Sequence, residues 1–299
     1  MTTFAQKIVV QDPLRYLALG DSYTIGESVA PNERWSFQLL EALKVKGVKE
    51  ASLKIIATTG WRTDQLMQAI QTANLTETYN LVSLLIGVNN QYQGRSVENY
   101  AVEFEELLKK AISLAGHQKE NVFVVSIPDY AYTPFGQQRP QPSVISQQID
   151  QFNRINKGIA EKYNVNYFDI TPISREGLAN PAYVAKDGLH PSGKMYAEWV
   201  KIMLPAFTLA TLLPSDTEEN QLSVIYPNPT ENIVVIDVPE AQQTKVKLYL
   251  TDEKGIVLCY QEVFALTTTA FSLKNLPAGL YFLLIDNAKN VKRAKVIKQ

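Results

Sequence analysis

The chain has 299 residues and a formal net charge of −1, from 29 Lys and Arg against 30 Asp and Glu. This balance argues against nucleic acid and acidic membrane surfaces as main partners. The single cysteine excludes an internal disulfide. The sequence shows no Cys/His cluster for zinc and no apolar run of transmembrane length, so we expect no metal, no cofactor and no transmembrane segment.

Short apolar runs alternate with amphipathic segments over the first two thirds of the chain. Runs of this length between turn residues indicate buried strands, and the segments between them carry apolar residues at helical spacing. Five such strands alternating with helices predict a three-layer α/β/α domain around a parallel sheet. We place the strands at 15–19, 53–58, 81–86, 122–127 and 165–170, with 8–10 as an edge strand. We place helices after Trp35, over 63–73, after an N-cap at Ser96, through 145–159 and from 195 to about 204.

The first of these five strands ends at Gly20-Asp21-Ser22. The carboxyl edge of an open α/β sheet is where ligand sites lie, and a glycine there lets the backbone turn sharply. A serine hydroxyl needs a base to become a nucleophile, and the chain has only two histidines. His190 follows Asp187 by three residues, so the carboxylate can hold its Nδ1 while the other ring nitrogen faces the serine. Ser22, Asp187 and His190 therefore predict a catalytic triad.

Two further residues at the ends of predicted strands can stabilise negative charge. Gly60 follows the strand over 53–58, and its N–H can approach a ligand because no side chain intervenes. Asn89 follows the strand over 81–86, and its side-chain amide can donate to the oxyanion of a tetrahedral intermediate. An asparagine at such a position can instead stabilise an Asx turn, which is the alternative for Asn89.

These segments, in this order, resemble the four motifs of the SGNH, or GDSL, hydrolases over about residues 14 to 205. The resemblance implies the family's flavodoxin-like strand order, 2-1-3-4-5, and an acyl-enzyme mechanism. It also implies an oxyanion hole made by the Ser22 and Gly60 N–H groups and the Asn89 amide. Asn90 stands where the family usually has an aspartate. The matching residues are Gly20-Asp21-Ser22, Gly60, Gly87-Val88-Asn89-Asn90 and Asp187-Gly188-Leu189-His190-Pro191.

The substrate is less closely specified. The loop over 128–143, with four prolines, is our candidate for a specificity loop or lid. We expect a lysophospholipid or short-chain acyl ester as the substrate, with an acetylated glycan as the alternative within the same chemistry. A non-catalytic surface binding protein is the alternative from another class. Aromatic loop residues are candidates for the substrate pocket, although such residues also pack against the core: Tyr23, Trp61, Tyr92 and Tyr130.

The sequence changes character after about residue 212. A polar linker over 213–221 separates the catalytic domain over 1–212 from short β-rich runs, which predict a small all-β sandwich over 222–299. Tyr226-Pro227-Asn228-Pro229, Leu276-Pro277-Ala278-Gly279-Leu280-Tyr281 and the lysine-rich end resemble the C-terminal sorting domain of the type IX secretion system of Bacteroidetes-type bacteria.

That resemblance implies a partnership with the secretion machinery and a secreted or cell-surface location. The first fifteen residues, however, lack the basic start and apolar stretch of a secretory signal. We therefore expect export with the N-terminus trimmed or misassigned, and a cytoplasmic location is the alternative.

Overall fold

The structure is a computed structural model that describes residues 7–209, 225–237, 245–253, 255–264, 268–286 and 291–299. It divides into two compact units, Met1–Leu209 and Ala210–Gln299. The linker predicted over 213–221 lies outside the described residues.

The first unit is built on a five-stranded parallel sheet flanked by helices. The strands of this unit are β1 (Ile8–Val10), β2 (Leu14–Gly20), β3 (Ala51–Ala57), β4 (Leu81–Leu85), β5 (Val122–Val125), β6 (Asn166–Phe168) and β7 (Phe207–Leu209). The helices are α1 (Ser22–Ile25), α2 (Trp35–Val45), α3 (Thr63–Thr72), α4 (Val88–Tyr92), α5 (Val97–Leu114), α6 (Pro134–Gln137), α7 (Pro142–Lys162), α8 (Thr171–Ser174) and α9 (Gly193–Met203).

The order of the main sheet is β3-β2-β4-β5-β6 with every pairing parallel, which confirms the order 2-1-3-4-5. The central strands are buried on both faces, since every residue of β4 and β5 is buried. That burial explains why they appear in the sequence as continuous apolar runs rather than alternating ones. The pair β1 and β7 forms a separate two-stranded parallel sheet, so residues 8–10 do not extend the main sheet.

Local signals set some helix boundaries, whereas tertiary contacts end some strands earlier than predicted. Ser96 caps α5, since its Oγ accepts a hydrogen bond from the Asn99 N–H at 3.2 Å. The strand predicted over 122–127 ends at Val125. The Ile127 N–H donates to Asn153 Oδ1 of α7 at 2.8 Å instead of to a neighbouring strand. A contact of this kind has no signature in the periodicity of the strand.

The strand register brings three loops to one edge of the sheet. Gly20 at the end of β2 pairs with Ala57 at the end of β3 and with Leu85 at the end of β4. The loops that follow these residues carry Ser22, Gly60 and Asn89. Because parallel strands end at the same edge, these three candidate residues emerge side by side.

The second unit is an all-β sandwich, as predicted. Its described strands are β8 (Ile225–Tyr226), β9 (Ile233–Asp237), β10 (Lys245–Thr251), β11 (Val257–Phe264), β12 (Thr268–Ser272), β13 (Gly279–Asp286) and β14 (Val291–Lys298). They form two antiparallel sheets in the orders β11-β10-β13-β14 and β12-β9-β8. One buried apolar cluster joins the two sheets, with Ile236 and Phe271 from the smaller and Leu248 and Leu283 from the larger.

Candidate active site

Ser22 is the first residue of α1, and one residue, Asp21, separates it from the end of β2. Asp21 caps this short helix, since its Oδ1 accepts a hydrogen bond from the Tyr23 N–H at 3.1 Å. A Cβ on Gly20 would lie 2.2 Å from Thr24 Oγ1 and 2.5 Å from the Leu85 carbonyl oxygen. Gly20 is therefore required by close packing between α1 and β4. The turn brings the Ser22 side chain to the sheet edge with 5% of the residue exposed.

His190 and Asp187 form a short, directed pair within one loop. Asp187 Oδ2 lies 2.6 Å from His190 Nδ1, and Asp187 Oδ1 accepts the N–H groups of Leu189 at 2.9 Å and His190 at 3.0 Å. His190 is 8% exposed, and its imidazole meets the ring of Tyr23 edge-on, with ring centroids 5.7 Å apart. These contacts fix the imidazole orientation and leave Nε2 for another partner.

The Asp187 carboxylate remains charged over the physiological pH range. Burial by itself raises its pKa, but hydrogen bonds from Ser28, His190 and the two backbone N–H groups outweigh burial and lower the pKa to about 2. The carboxylate can thus stabilise a positive imidazole when the ring accepts a proton. It does so without being protonated itself.

Residues 26–28, termed the 26–28 turn, connect the loop that carries Asp187 to the loop that carries Gly60. The Ser28 hydroxyl donates to Asp187 Oδ2 at 2.7 Å, while Glu27 accepts a hydrogen bond from the Thr59 hydroxyl beside Gly60. Ser28 adopts a φ of +64°, a left-handed conformation uncommon outside glycine. Ser28 is absent from the site predicted from the sequence. No local pattern links it to Asp187, which is 159 residues away.

Gly60 and Asn89 carry hydrogen-bond donors at the same edge of the sheet as Ser22. Gly60 has a φ of +85°, and a Cβ there would meet nothing within 4 Å, so its glycine is required by conformation rather than by space. Neither the Gly60 N–H nor the Ser22 N–H donates to any residue that the structure describes. The Asn89 Nδ2 donates one hydrogen bond, to the Trp61 carbonyl at 3.0 Å, and its second N–H is available.

Asn90 links the loop after β4 to the start of α3. Its Oδ1 accepts the Thr63 N–H at 3.1 Å, and its Nδ2 donates to Thr63 Oγ1 at 2.6 Å. The Thr63 hydroxyl then donates to Glu103. An aspartate at position 90 would compete with Glu103 for that hydroxyl proton, whereas the asparagine donates and satisfies the chain of bonds. This network explains the departure at Asn90 and holds the Gly60 and Asn89 loops together.

One cleft of about 180 Å³ brings most of the candidate residues together. Three of the four predicted aromatic residues, Tyr23, Tyr92 and Tyr130, line it. Trp61 instead lines a neighbouring groove of about 580 Å³ beside Ile55 and Gln65. The residues lining the cleft are Ser22, Tyr23, Thr59, Gly60, Val88, Asn89, Tyr92, Tyr130, Phe135, Leu189 and His190.

The loop over 128–143 forms one wall of this cleft. It contains a 3₁₀ turn at Tyr130–Tyr132, followed by α6. The Tyr130 hydroxyl donates to Gln91 Oε1 at 3.0 Å, and the Phe135 N–H donates to the Gly188 carbonyl at 2.9 Å. The wall is thus bonded both to α4 and to the loop that carries His190.

Comparison with known families agrees with this architecture. The sequence profile of the GDSL-like Lipase/Acylhydrolase family matches residues 18–198. The chain belongs to this family. As a GDSL-type hydrolase it is a carboxylic ester hydrolase, and the matched segment contains Ser22, Gly60, Asn89, Asp187 and His190. No curated protein matches the chain at a significant level.

Solved structures of similar fold include several esterases. Axe2, an acetylxylan esterase from Geobacillus stearothermophilus, has a TM-score of 0.52 and 19% identity, covering 67% of this chain and 96% of that chain. TesA has a TM-score of 0.51 and 15% identity, covering 64% of this chain and 97% of that chain. LAE5, an α/β hydrolase enzyme from the metagenome of Lake Arreo, Spain, has a TM-score of 0.53 and 15% identity. The match covers 67% of this chain and 97% of that chain. At these identities the similarity concerns the fold.

The second unit of this GDSL hydrolase has its own family match. Residues 224–299 match the secretion system C-terminal sorting domain, which confirms the resemblance noted from the sequence. Across the described residues, none of the helices combines the length and apolar character needed to cross a bilayer. The same residues include no group of three or more His, Cys, Asp and Glu side chains placed to hold a metal ion.

Proposed function

We propose that the GDSL hydrolase cleaves carboxylic esters through an acyl-enzyme on Ser22. His190 accepts the Ser22 proton as the hydroxyl oxygen attacks the acyl carbon, and Asp187 stabilises the resulting imidazolium. The same proton then passes to the departing alcohol. Water, deprotonated by His190, hydrolyses the acyl-enzyme and restores the Ser22 hydroxyl.

The observation that carries this proposal is the convergence of four residues from four separate loops. Ser22, Gly60, Asn89 and His190 line the same cleft. The N–H groups of Ser22 and Gly60 and the second Asn89 amide N–H are the proposed oxyanion donors. Donors held in place before the reaction stabilise the developing charge without a reorganisation cost, and each typically contributes about 2.7–4 kcal/mol.

For the substrate we favour a short-chain acyl ester. The cleft, at about 180 Å³, is smaller than the roughly 300–1,000 Å³ typical of sites for drug-sized ligands. Its walls are mainly apolar, with Val88, Phe135 and Leu189 beside the three tyrosines. This volume supports an acetyl or similarly small group more than a long fatty acyl chain, such as that of a lysophospholipid.

An acetylated glycan is the second candidate, supported by the groove that adjoins the cleft. Residues 58–61 separate the two, and the groove offers the Trp61 side chain with the amides of Gln65 and Gln68. An aromatic face beside uncharged hydrogen-bonding groups suits a sugar ring. Axe2, which has the same fold, is described as an acetylxylan esterase.

The sorting domain supports export, and we propose a secreted or cell-surface location with the secretion machinery as its partner. Immunodetection of the protein in the culture medium and cell fractions, with and without residues 224–299, tests this placement. Retention of the intact protein in the cytoplasm would count against it.

Replacement of Ser22 tests the chemistry directly. We expect Ser22→Ala to lower para-nitrophenyl acetate turnover by about three orders of magnitude or more, with an unchanged melting temperature. Ser113→Ala, an exposed position on α5 outside the cleft, is the matched control and should keep full activity. Labelling of the wild type, but not of Ser22→Ala, by a fluorophosphonate probe identifies the nucleophile. Undiminished turnover in Ser22→Ala would refute the assignment.

A further inference from the structure

Arg139 is a cation at the rim of the catalytic cleft. Its guanidinium lies over the Phe135 ring at 4.2 Å and the Tyr92 ring at 5.3 Å from the ring centroids. Its Nη2 also donates to the Tyr92 hydroxyl at 2.6 Å. Both rings line the cleft, so these contacts hold the guanidinium at the entrance. Stacking and the hydrogen bond together fix a side chain that would otherwise be mobile.

The charge of Arg139 has no carboxylate partner within the described part of the chain. Ion pairs involving arginine in residues 7–209 belong to Arg62, Arg95 and Arg175. A guanidinium has five N–H donors, and the Tyr92 hydroxyl takes one of those on Arg139. The side chain is half-buried. A fixed, partly desolvated guanidinium with unused donors is suited to binding a planar or tetrahedral anion in a two-pronged manner.

The other charged groups around the cleft are engaged with partners of their own. Beyond Tyr92, Arg62 donates to Gln93 while Arg62 and Arg95 share the single carboxylate of Asp64. The acidic side chains near the cleft have partners other than Arg139: Glu27 accepts from Thr59, Asp187 binds Ser28 and His190, and Asp129 pairs with Arg175. The positive charge of Arg139 is thus not compensated by any of these carboxylates, and it attracts an anionic group of an incoming substrate.

We infer that Arg139 is a specificity-determining residue, and that the preferred substrate is an ester whose alcohol portion carries a carboxylate or phosphate. This inference rests on the proposed ester hydrolysis at Ser22 and narrows its substrate class. Residues Tyr92 and Phe135 position the guanidinium, and the small cleft below them receives the acyl group.

Three aryl acetates with the same acyl group test this inference. They are para-acetoxybenzoate, para-acetoxyphenyl phosphate and the neutral methyl para-acetoxybenzoate, each assayed for kcat/KM with wild type, Arg139→Gln and Arg139→Lys. The measured quantity is the kcat/KM for an anionic ester divided by the kcat/KM for the neutral ester. This ratio is normalised to that of the wild type, so that the intrinsic reactivity of each ester cancels. We expect Arg139→Gln to lower this ratio by about tenfold or more. Arg139→Lys, which keeps the charge but lacks the planar guanidinium, should give a ratio between those of wild type and Arg139→Gln.

Salt and a distant arginine serve as controls. The wild-type ratio should fall as ionic strength rises, since the rim is partly exposed. Arg154→Gln, at an exposed position of α7 that lines a separate surface groove, should leave the ratio unchanged. The carboxylate and phosphate esters distinguish the two sources of anion, because the better substrate identifies which group the site favours.

The outcomes separate this inference from the proposed function. If Arg139→Gln lowers turnover of all three esters equally, Arg139 only supports the aromatic wall, and the inference is overturned. An unchanged ratio overturns it as well. Neither outcome affects the role of Ser22, which is judged by the loss of neutral-ester turnover in Ser22→Ala.

Discussion

Removal of the Ser28 hydroxyl tests whether the 26–28 turn positions the catalytic carboxylate. Ser28 donates at 2.7 Å to the same Asp187 oxygen that faces His190 Nδ1. A hydrogen bond to a charged group contributes about 1.5–3 kcal/mol, and the partial exposure of this pair favours the lower value. Since about 1.4 kcal/mol corresponds to a tenfold change in rate, we expect Ser28→Ala to lower kcat about tenfold with KM unchanged.

A glycine variant separates the hydroxyl from the backbone. Ser28 has a φ of +64°, which costs an L-residue about 1–2 kcal/mol and costs glycine almost nothing. Ser28→Gly should therefore lose as much activity as Ser28→Ala, but it should unfold at a higher urea concentration than Ser28→Ala. Initial rates of para-nitrophenyl acetate hydrolysis and equilibrium urea unfolding measure both properties. Wild-type kcat in Ser28→Ala, or recovery of the rate in Ser28→Gly, would refute the positioning role.

Two further predictions concern Asn89 and Asp21. Asn89→Ala should lower kcat by about 10²–10³ with KM nearly unchanged, and a loss below threefold would exclude its amide from the oxyanion hole. Burial raises the pKa of Asp21 from 3.8 to about 7. Between those pH values the folded state keeps a proton that the unfolded state loses, so stability falls with rising pH by as much as about 4 kcal/mol. Asp21→Asn should remove this fall in stability. Melting-temperature curves of the wild type and Asp21→Asn that run parallel from pH 4 to 8 would contradict the prediction.

Local patterns in the sequence determined the elements of the fold and most of the candidate site. The fully buried strands β4 and β5 appear as apolar runs because both of their faces are covered. Ser96 indicates the start of α5 because a helix N-terminus needs an acceptor for its free N–H groups. Ser22, Gly60, Asn89 and His190 could be named because each belongs to a motif at the end of a strand or within a tight loop.

Tertiary structure alone decided which loop residues meet. Trp61 lies in the groove beside the cleft, Ser28 bonds to Asp187, and Arg139 stacks on Tyr92. These contacts join residues from different loops, the most distant being 159 positions apart. Periodicity records which face of an element is buried, but it carries no information on the path of a loop. That path depends on the packing of the whole unit. The position of Arg139 at the cleft and the contact of Ser28 with the Asp187 carboxylate are therefore visible only in the tertiary structure.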